Sequence, residues 1–140
     1  MTPLHLEEQF PYRRADLPTV VVRLSYGDSQ VDTEAMLDTG ASICIFDAGL
    51  ASVLNIPLTR ARRVPILGLD GAIRAAPLVA IDLVVLPESA GIRLGQIPVA
   101  FLDDIERTVG NLLGREGFFS AVDLGLSHTH RTIHLGLSRA

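Results

Sequence analysis

The sequence consists largely of short runs of β-branched and aliphatic residues that are separated by turn-forming residues, and this pattern is the main constraint on its fold. The runs occupy positions 19–26, 31–37, 43–46, 64–67, 72–86, 92–102 and 131–135. Gly27-Asp28 and Asp70-Gly71 stand between consecutive runs, where they predict hairpin turns. Because the runs do not alternate regularly with helical segments, they favour a closed or nearly closed β-barrel. We therefore predict an all-β fold of about seven strands with two short helices.

The chain has 140 residues, a length that usually folds around a single core. Positions 1–18 hold prolines and mixed charges without periodicity, which predicts an N-terminal arm at the surface. The folded domain is expected to cover positions 19–140. Asp47 is a good helix N-cap, so we predict a helix of about two turns after it, with Leu50, Val53 and Leu54 on one face.

Charge and hydropathy argue against two classes of partner. The net charge is -4, and no run of Lys or Arg could line a phosphate backbone, so we expect no nucleic-acid partner. No apolar stretch reaches the roughly 18 residues that a membrane helix needs, so we expect no membrane partner. Charged residues between His5 and Asp16 interrupt the pattern of a secretory signal, which predicts a cytoplasmic protein.

Metal, thiol and serine chemistry receive little support from the sequence. Cys44 lies in an apolar β-like run with no adjacent base, so a buried core residue is the better interpretation. His128, His130 and His134 could suggest a metal site, but along one strand they span too long a reach to meet one ion. Ser42 is not in a Gly-x-Ser-x-Gly motif, and no Gly-rich phosphate loop occurs. We predict no metal and no cofactor.

Asp38 is the candidate for chemistry. It follows the apolar residues Met36 and Leu37 and precedes Thr39 and Gly40. A carboxylate that leaves water at the end of an apolar strand must be paired, hydrogen-bonded or partly protonated. The three residues alone also fit an ordinary turn, because Asp and Gly are frequent in turns. The motif therefore needs support from the rest of the chain.

Two segments together supply that support. Asp38-Thr39-Gly40-Ala41-Ser42 resembles the active-site loop of the aspartic proteases, and the segment from Asn111 to Glu116 resembles the second signature of their retroviral-type branch. The Gly68-Leu69-Asp70-Gly71 turn falls where that branch keeps its flap. The chain thus resembles a retropepsin-like, single-lobe aspartic protease of the bacterial type over positions 19–136.

The resemblance implies roles for individual residues. Asp38 would be catalytic, the Thr39 hydroxyl would bond across a dimer, and Gly40 would let backbone approach the carboxylates. The expected substrate-binding residues are Ala41, Ser42, Ile66, Leu67, Gly68 and Leu69. The second signature would be a structural element behind the catalytic loop, built from Leu112, Leu113, Gly114 and Arg115. A short helix at positions 116–121 would follow it.

Peptide hydrolysis without a metal or a nucleophilic side chain requires one carboxylate to activate water and one carboxylic acid to polarise the carbonyl. This chain contains a single Asp-Thr/Ser-Gly sequence. The second acid is therefore expected from another copy, which predicts a two-fold homodimer that binds an extended polypeptide. Two alternatives remain open: a catalytically silent module of the same fold that binds peptides or dimerises, and a monomer that is inactive until it is recruited.

The sequence departs from the family pattern at two places. In many relatives the Arg after the second-signature Gly pairs with an acid four positions beyond the catalytic Asp. That position is Ser42 here, so Arg115 is expected to lack this partner. The first residues also do not display an evident N-terminal strand of the kind that some relatives use at the dimer interface.

Overall fold

The computed structural model describes residues 2–68, 70–105 and 109–139. They form ten strands, one α-helix and one short 3-10 helix at Glu88–Ala90. The strands are β1 (Glu8–Pro11), β2 (Thr19–Tyr26), β3 (Ser29–Leu37), β4 (Cys44–Asp47), β5 (Arg62–Leu67), β6 (Ile73–Val85), β7 (Arg93–Leu102), β8 (Leu112–Leu113), β9 (Val122–Ser127) and β10 (Thr132–Leu137). The helix α1 is Ala48–Val53. The prediction of an all-β fold is confirmed.

Six of the strands close into a barrel in the order β2-β3-β8-β4-β7-β6, and β6 pairs back to β2. β3 runs parallel to β8 and β4 runs parallel to β7, whereas the β2–β3 and β6–β7 pairs are antiparallel. β5 extends the sheet at the outer side of β6. Closure removes most of the sheet's free edges, which would otherwise attract other strands.

A separate three-stranded sheet joins the two ends of the chain in the order β1-β10-β9. β1 was not predicted from the sequence, yet it pairs antiparallel with β10 and buries Phe10, which is 4% exposed. The chain before β1 is also attached, because the main-chain N–H of His5 donates to Asp123 Oδ2 (2.8 Å). The boundary at residue 18 between an arm and a domain stays a prediction.

The interior contains two apolar clusters. The larger one fills the barrel and includes Leu24, Phe46, Leu83, Phe101 and Leu113. The smaller one lies between the strands and the β5–β6 hairpin, and it consists of Ile45, Ile66, Ala76, Ala100, Ile105 and Leu112. Burial of this apolar area is the main favourable term in the folding of the barrel.

The helices differ in part from the prediction. Asp47 caps α1 as expected, since its side chain accepts the N–H of Gly49 (2.9 Å), but Val53 is 58% exposed and not on the buried face. The predicted second helix at positions 116–121 is wrong, because that segment is a series of turns. Gly117 has a left-handed φ of 93°, which interrupts helical geometry. No described helix combines the length and the apolar character that crossing a membrane requires.

Candidate active site

Asp38 lies immediately after the end of β3, at the side of the barrel where β8 runs parallel to β3. Its main-chain N–H donates to the carbonyl oxygen of Leu113 (3.0 Å). Its side chain is half-buried, and Oδ1 accepts the N–H of Gly40 (2.9 Å). The expectation that this carboxylate would be hydrogen-bonded is thus met within its own loop.

The second-signature segment holds the loop at positions 38–42 by its main chain. The N–H groups of Arg115 and Glu116 donate to the carbonyl oxygens of Ala41 and Ser42, each at 2.9 Å. Nη1 of Arg115 donates to the carbonyl oxygen of Thr39, also at 2.9 Å. Arg115 therefore has a partner in the loop itself, although Ser42 replaces the acid with which relatives pair this arginine.

Gly114 permits this close approach of two chain segments. A Cβ atom at position 114 would collide with the carbonyl group of Ile43 and lie 2.9 Å from the carbonyl oxygen of Ala41. The N–H of Gly114 instead approaches Sγ of Cys44 at 3.4 Å. Cys44 is fully buried, as predicted, and burial raises the pKa of its thiol to about 11, which makes it a poor nucleophile.

Asn111 is one of the few buried polar residues, at 4% exposed, and it connects three parts of the barrel. Its side-chain N–H₂ donates to the carbonyl oxygen of Glu34 (2.9 Å) and to the hydroxyl of Thr33 (3.2 Å). Its side-chain oxygen accepts the N–H of Asp47 (2.9 Å). In turn, Asp47 Oδ1 accepts the N–H of Ile105 (3.0 Å). The amide therefore links the strand that leads to Asp38 with the segment after β7.

The β5–β6 hairpin lies opposite this loop. Its turn is held by local bonds, namely the N–H of Gly68 to the carbonyl oxygen of Ala72 (2.9 Å) and the N–H of Ala72 to Asp70 Oδ1 (3.0 Å). Arg74 forms an exposed ion pair with Asp70 (3.4 Å). Leu67 is 71% exposed, whereas its neighbour Ile66 is buried in the smaller cluster.

A cleft of about 860 Å³ separates the hairpin from the loop at positions 38–42. The loop side contributes Asp38, Gly40, Ala41, Ser42 and Ile43, and the hairpin side contributes Pro65, Ile66, Leu67, Gly68, Asp70 and Arg74. An apolar cleft with a few convergent polar groups is typical of a site for an organic ligand.

Comparison with known proteins agrees with this geometry. The sequence of residues 20–116, more than half of the chain, matches the profile of a family described as Aspartyl protease. The chain belongs to the aspartyl protease family. It is similar in structure to a retropepsin-like aspartic protease from Rickettsia conorii, with a TM-score of 0.62 and 17% sequence identity. That similarity covers 91% of this chain and 98% of the Rickettsia chain, and it indicates the same fold. Among curated proteins, no sequence matches this chain.

Most of the predicted site residues of this aspartyl protease chain lie together around the cleft. Thr39 is exposed beside it and is not one of its lining residues. Leu69 lies outside the described residues. Leu112 lines the cleft, while Leu113 is fully buried behind the loop.

The sequence analysis did not find a third wall of the cleft, which follows β7. It includes Asp103, Asp104, Ile105 and Val109. The two aspartates are exposed and lie in a turn, but they also face the cleft. A signal was present, because Asp103 follows an apolar strand in the same way that Asp38 follows β3.

The histidines do not lie on one strand, as the metal argument assumed. His128 and His130 belong to the turn between β9 and β10, and only His134 is in β10. Nδ1 of His128 is 3.2 Å from the hydroxyl of Tyr12, and Nδ1 of His130 is 2.9 Å from Oγ of Ser127. These contacts give both histidines a structural role in an exposed turn.

Proposed function

We propose that this chain is the subunit of an aspartic endopeptidase that hydrolyses peptide bonds as a homodimer. The observation that carries the proposal is a half-buried Asp38 carboxyl, fixed by its loop on one side of a cleft whose other side is a hairpin. Membership of the aspartyl protease family supports the same activity. We also retain the expectation that the protein is cytoplasmic.

In the proposed reaction the two Asp38 carboxyls of the dimer share one proton, because like charges held in contact cannot both ionise. The ionised carboxylate takes a proton from a water molecule, whose oxygen then bonds to the carbonyl carbon of the substrate. The protonated carboxyl donates its proton to the carbonyl oxygen. In the second step the carboxyl that took the proton from water gives it to the amide nitrogen, and the C–N bond breaks. The other carboxylate takes a proton from a hydroxyl of the tetrahedral intermediate as the C=O bond re-forms, so the pair again shares one proton.

The neighbouring residues have supporting roles in this proposal. A Cβ at Gly40 would lie 3.1 Å from Asp38 Oδ1, so glycine keeps space around the carboxylate. Thr39 presents its exposed side chain to the loop of the second copy. Ala41, Ser42 and Ile66 line the groove, while Leu67, Gly68 and Leu69 would close over an extended polypeptide substrate.

Replacing Asp38 by Asn tests the catalytic role. The matched control is Asp82→Asn, which removes an exposed carboxylate of β6 that does not line the cleft. We expect Asp38→Asn to lower kcat/KM by at least about 10³-fold, because general acid-base catalysis is lost, while the control stays within about threefold. Cleavage is measured by mass spectrometry on a mixture of denatured proteins.

The rival function is a silent module that binds extended peptides through the same cleft. It predicts peptide binding without turnover in the unchanged protein, and equal binding after Asp38→Asn. Binding measured by calorimetry, beside cleavage by the dimeric protein, separates the two. Turnover that survives Asp38→Asn would refute the proposed mechanism.

A further inference from the structure

The arginines of this chain differ in whether they have an acidic partner. Most of them form an ion pair with an aspartate or a glutamate, namely Arg14, Arg23, Arg74, Arg93, Arg131 and Arg139. Arg60, Arg62 and Arg63, by contrast, have no acidic partner in the part of the chain that the structure describes. All three are exposed, and they lie at and just before the start of β5. We call these three residues the arginine patch.

The arginine patch belongs to a positively charged part of the chain. Positions 56–79, which include β5, the hairpin turn and the first half of β6, hold four arginines and one aspartate. The whole chain, in contrast, has a net charge of -4. The aspartate of this segment, Asp70, already pairs with Arg74. The charge of the arginine patch is therefore not balanced within the hairpin, and it attracts negatively charged partners.

The arginine patch lies on an edge strand, because β6 is the only neighbour of β5 in the described sheet. The N–H of Gly68 donates to the carbonyl oxygen of Ala72 (2.9 Å), so these two residues form a hydrogen-bonded pair at the turn. Alternation along the antiparallel ladder then directs the main-chain groups of Arg63, Pro65 and Leu67 toward the free edge.

Two prolines agree with this register. Pro77 lies opposite Arg63, at a pair where the ladder uses no N–H group, and Pro65 faces the free edge. The edge therefore keeps the N–H groups of Arg63 and Leu67 for a partner strand. The carbonyl oxygens of Arg63, Pro65 and Leu67 also point there. An edge with such groups can bind an extended segment by adding it to the sheet as a further strand.

The guanidinium groups lie on both faces of this edge, because consecutive residues of a strand point to opposite faces. Arg62 shares its face with Val64 and Ile66, which pack in the smaller apolar cluster. Arg63 is on the outer face, where its Nη1 is 3.5 Å from the carbonyl oxygen of Ala75. A segment that pairs with β5 thus has a positive charge above it and another below it.

β5 connects the arginine patch to the cleft. Pro65, Ile66 and Leu67, at the other end of the strand, line the cleft. A strand advances about 3.3 Å per residue, and so does an extended peptide beside it. A peptide residue level with Leu67 is therefore about four or five positions from the residues level with Arg63 and Arg62. A chain that leaves the cleft along β5 reaches the patch within that distance.

We propose that the free edge of β5 and the arginine patch bind an extended acidic segment of the polypeptide whose neighbouring residues occupy the cleft. The segment pairs its main chain with β5, and its Asp or Glu side chains approach Arg62 and Arg63. This inference rests on the proposed function, since it names a substrate class for the same cleft.

Other occupants fit this edge less well. Two copies of the edge would bring arginines together, and like charges on an edge strand oppose such pairing. A nucleic acid also carries negative charge, but β5 consists of Arg-Arg-Val-Pro-Ile-Leu and offers no aromatic side chain on which a base could stack. An acidic peptide uses both the positive charge and the free main-chain groups.

Two matched probe peptides test the surface in the Asp38→Asn variant, where binding is measured without turnover. Both alternate Val and Thr, which favour extended structure; one carries a block of three Glu and the other three Gln. Each is made with the block at either end, because an edge can pair with both strand directions. Fluorescence anisotropy at low salt should give the Glu probe a Kd about fivefold lower, since exposed ion pairs are individually weak. The difference should disappear at about 0.5 M salt.

Arg62→Gln/Arg63→Gln should remove the preference for the Glu probe. The matched control is Arg13→Gln/Arg14→Gln, which changes two adjacent exposed arginines outside the hairpin and should keep the preference. Arg62→Glu/Arg63→Glu should instead favour a probe with three Lys, a reversal that loss of folding cannot produce. Circular dichroism verifies that each variant folds.

The outcomes separate this inference from the proposed function. Equal affinity for the Glu and Gln probes, or a preference that survives Arg62→Gln/Arg63→Gln, would overturn it. Tighter binding of a single-stranded oligonucleotide than of the Glu probe would also overturn it, in favour of a nucleic-acid surface. If the preference depends on the two arginines but the unchanged protein cleaves nothing, the surface stands and the protease proposal fails. If denatured proteins are cleaved without enrichment of Asp or Glu within about six residues of the cut bonds, the protease proposal stands and the acidic segment is wrong.

Discussion

The loop that carries Asp38 and the β5–β6 hairpin face each other across one cleft, but their main chains are held by different kinds of bond. The loop is bonded to residues far away in sequence, as in the contact of Arg115 with Thr39. The hairpin turn is held by bonds between neighbours, such as Gly68 with Ala72. Local bonds open at a lower free energy than bonds inside the cooperative core.

This difference agrees with the proposed hydrolysis of extended chains. A reacting carboxyl must keep its position within a fraction of an ångström, which needs supporting contacts from several directions. A covering hairpin must move away for a polypeptide to enter, which needs few contacts of its own. The exposed Leu67 and Ile73, both 71% exposed, agree with a hairpin that has apolar surface left to bury.

The largest predicted difference in stability between the loop and the hairpin is at their glycines. Gly114→Ala should lower the free energy of unfolding by about 3 kcal/mol, because the new Cβ collides with the main chain of Ile43. In the hairpin, Gly71→Ala should cost about 1 kcal/mol, since φ is 80° there but no atom lies within 4 Å. Urea unfolding measures both. Equal losses would contradict the proposed difference between the two walls.

A smaller loss in the free energy of unfolding is expected at Asn111, whose side chain bonds to the strand that leads to the loop. Asn111→Ala should lower the free energy of unfolding by about 2 kcal/mol, because the carbonyl oxygen of Glu34 and the N–H of Asp47 each lose a partly buried hydrogen bond. Gln96→Ala, at an exposed position of β7, serves as control and should change it by less than about 0.5 kcal/mol. If Asn111→Ala lowers the free energy of unfolding no more than Gln96→Ala does, the Asn111 side chain does not support the loop.

The smallest effect on stability is expected in the hairpin at Leu67. Leu67→Ser should leave the free energy of unfolding within about 0.5 kcal/mol, since the side chain is already exposed. If the hairpin closes over a peptide, KM should rise by about fivefold while kcat is kept. Peptide kinetics measure this, with Leu17→Ser as control. A change in kcat without a change in KM would argue that Leu67 acts on the chemistry and not on binding.

Several features of the fold could be read from local sequence. The β2–β3 hairpin follows from two β-branched runs around Gly27, where φ is 56°, and the helix start follows from the cap at Asp47. The candidate site was found through two motifs whose joint occurrence is more specific than either one. Other features gave no local signal. β1 lies in a segment with mixed charge, and it becomes a strand only because β10 offers an edge beside it.

The sequence by itself determined the strand-rich character, the single Asp-Thr-Gly and the residues that are able to approach closely, such as Gly114. The tertiary structure alone decided that Arg115 bonds to Thr39, that the segment after β7 becomes a wall of the cleft, and that positions 116–121 fold as turns. Local patterns fix φ and ψ preferences over a few residues. Which distant segments meet depends on barrel closure and burial, as when Phe118 enters the core.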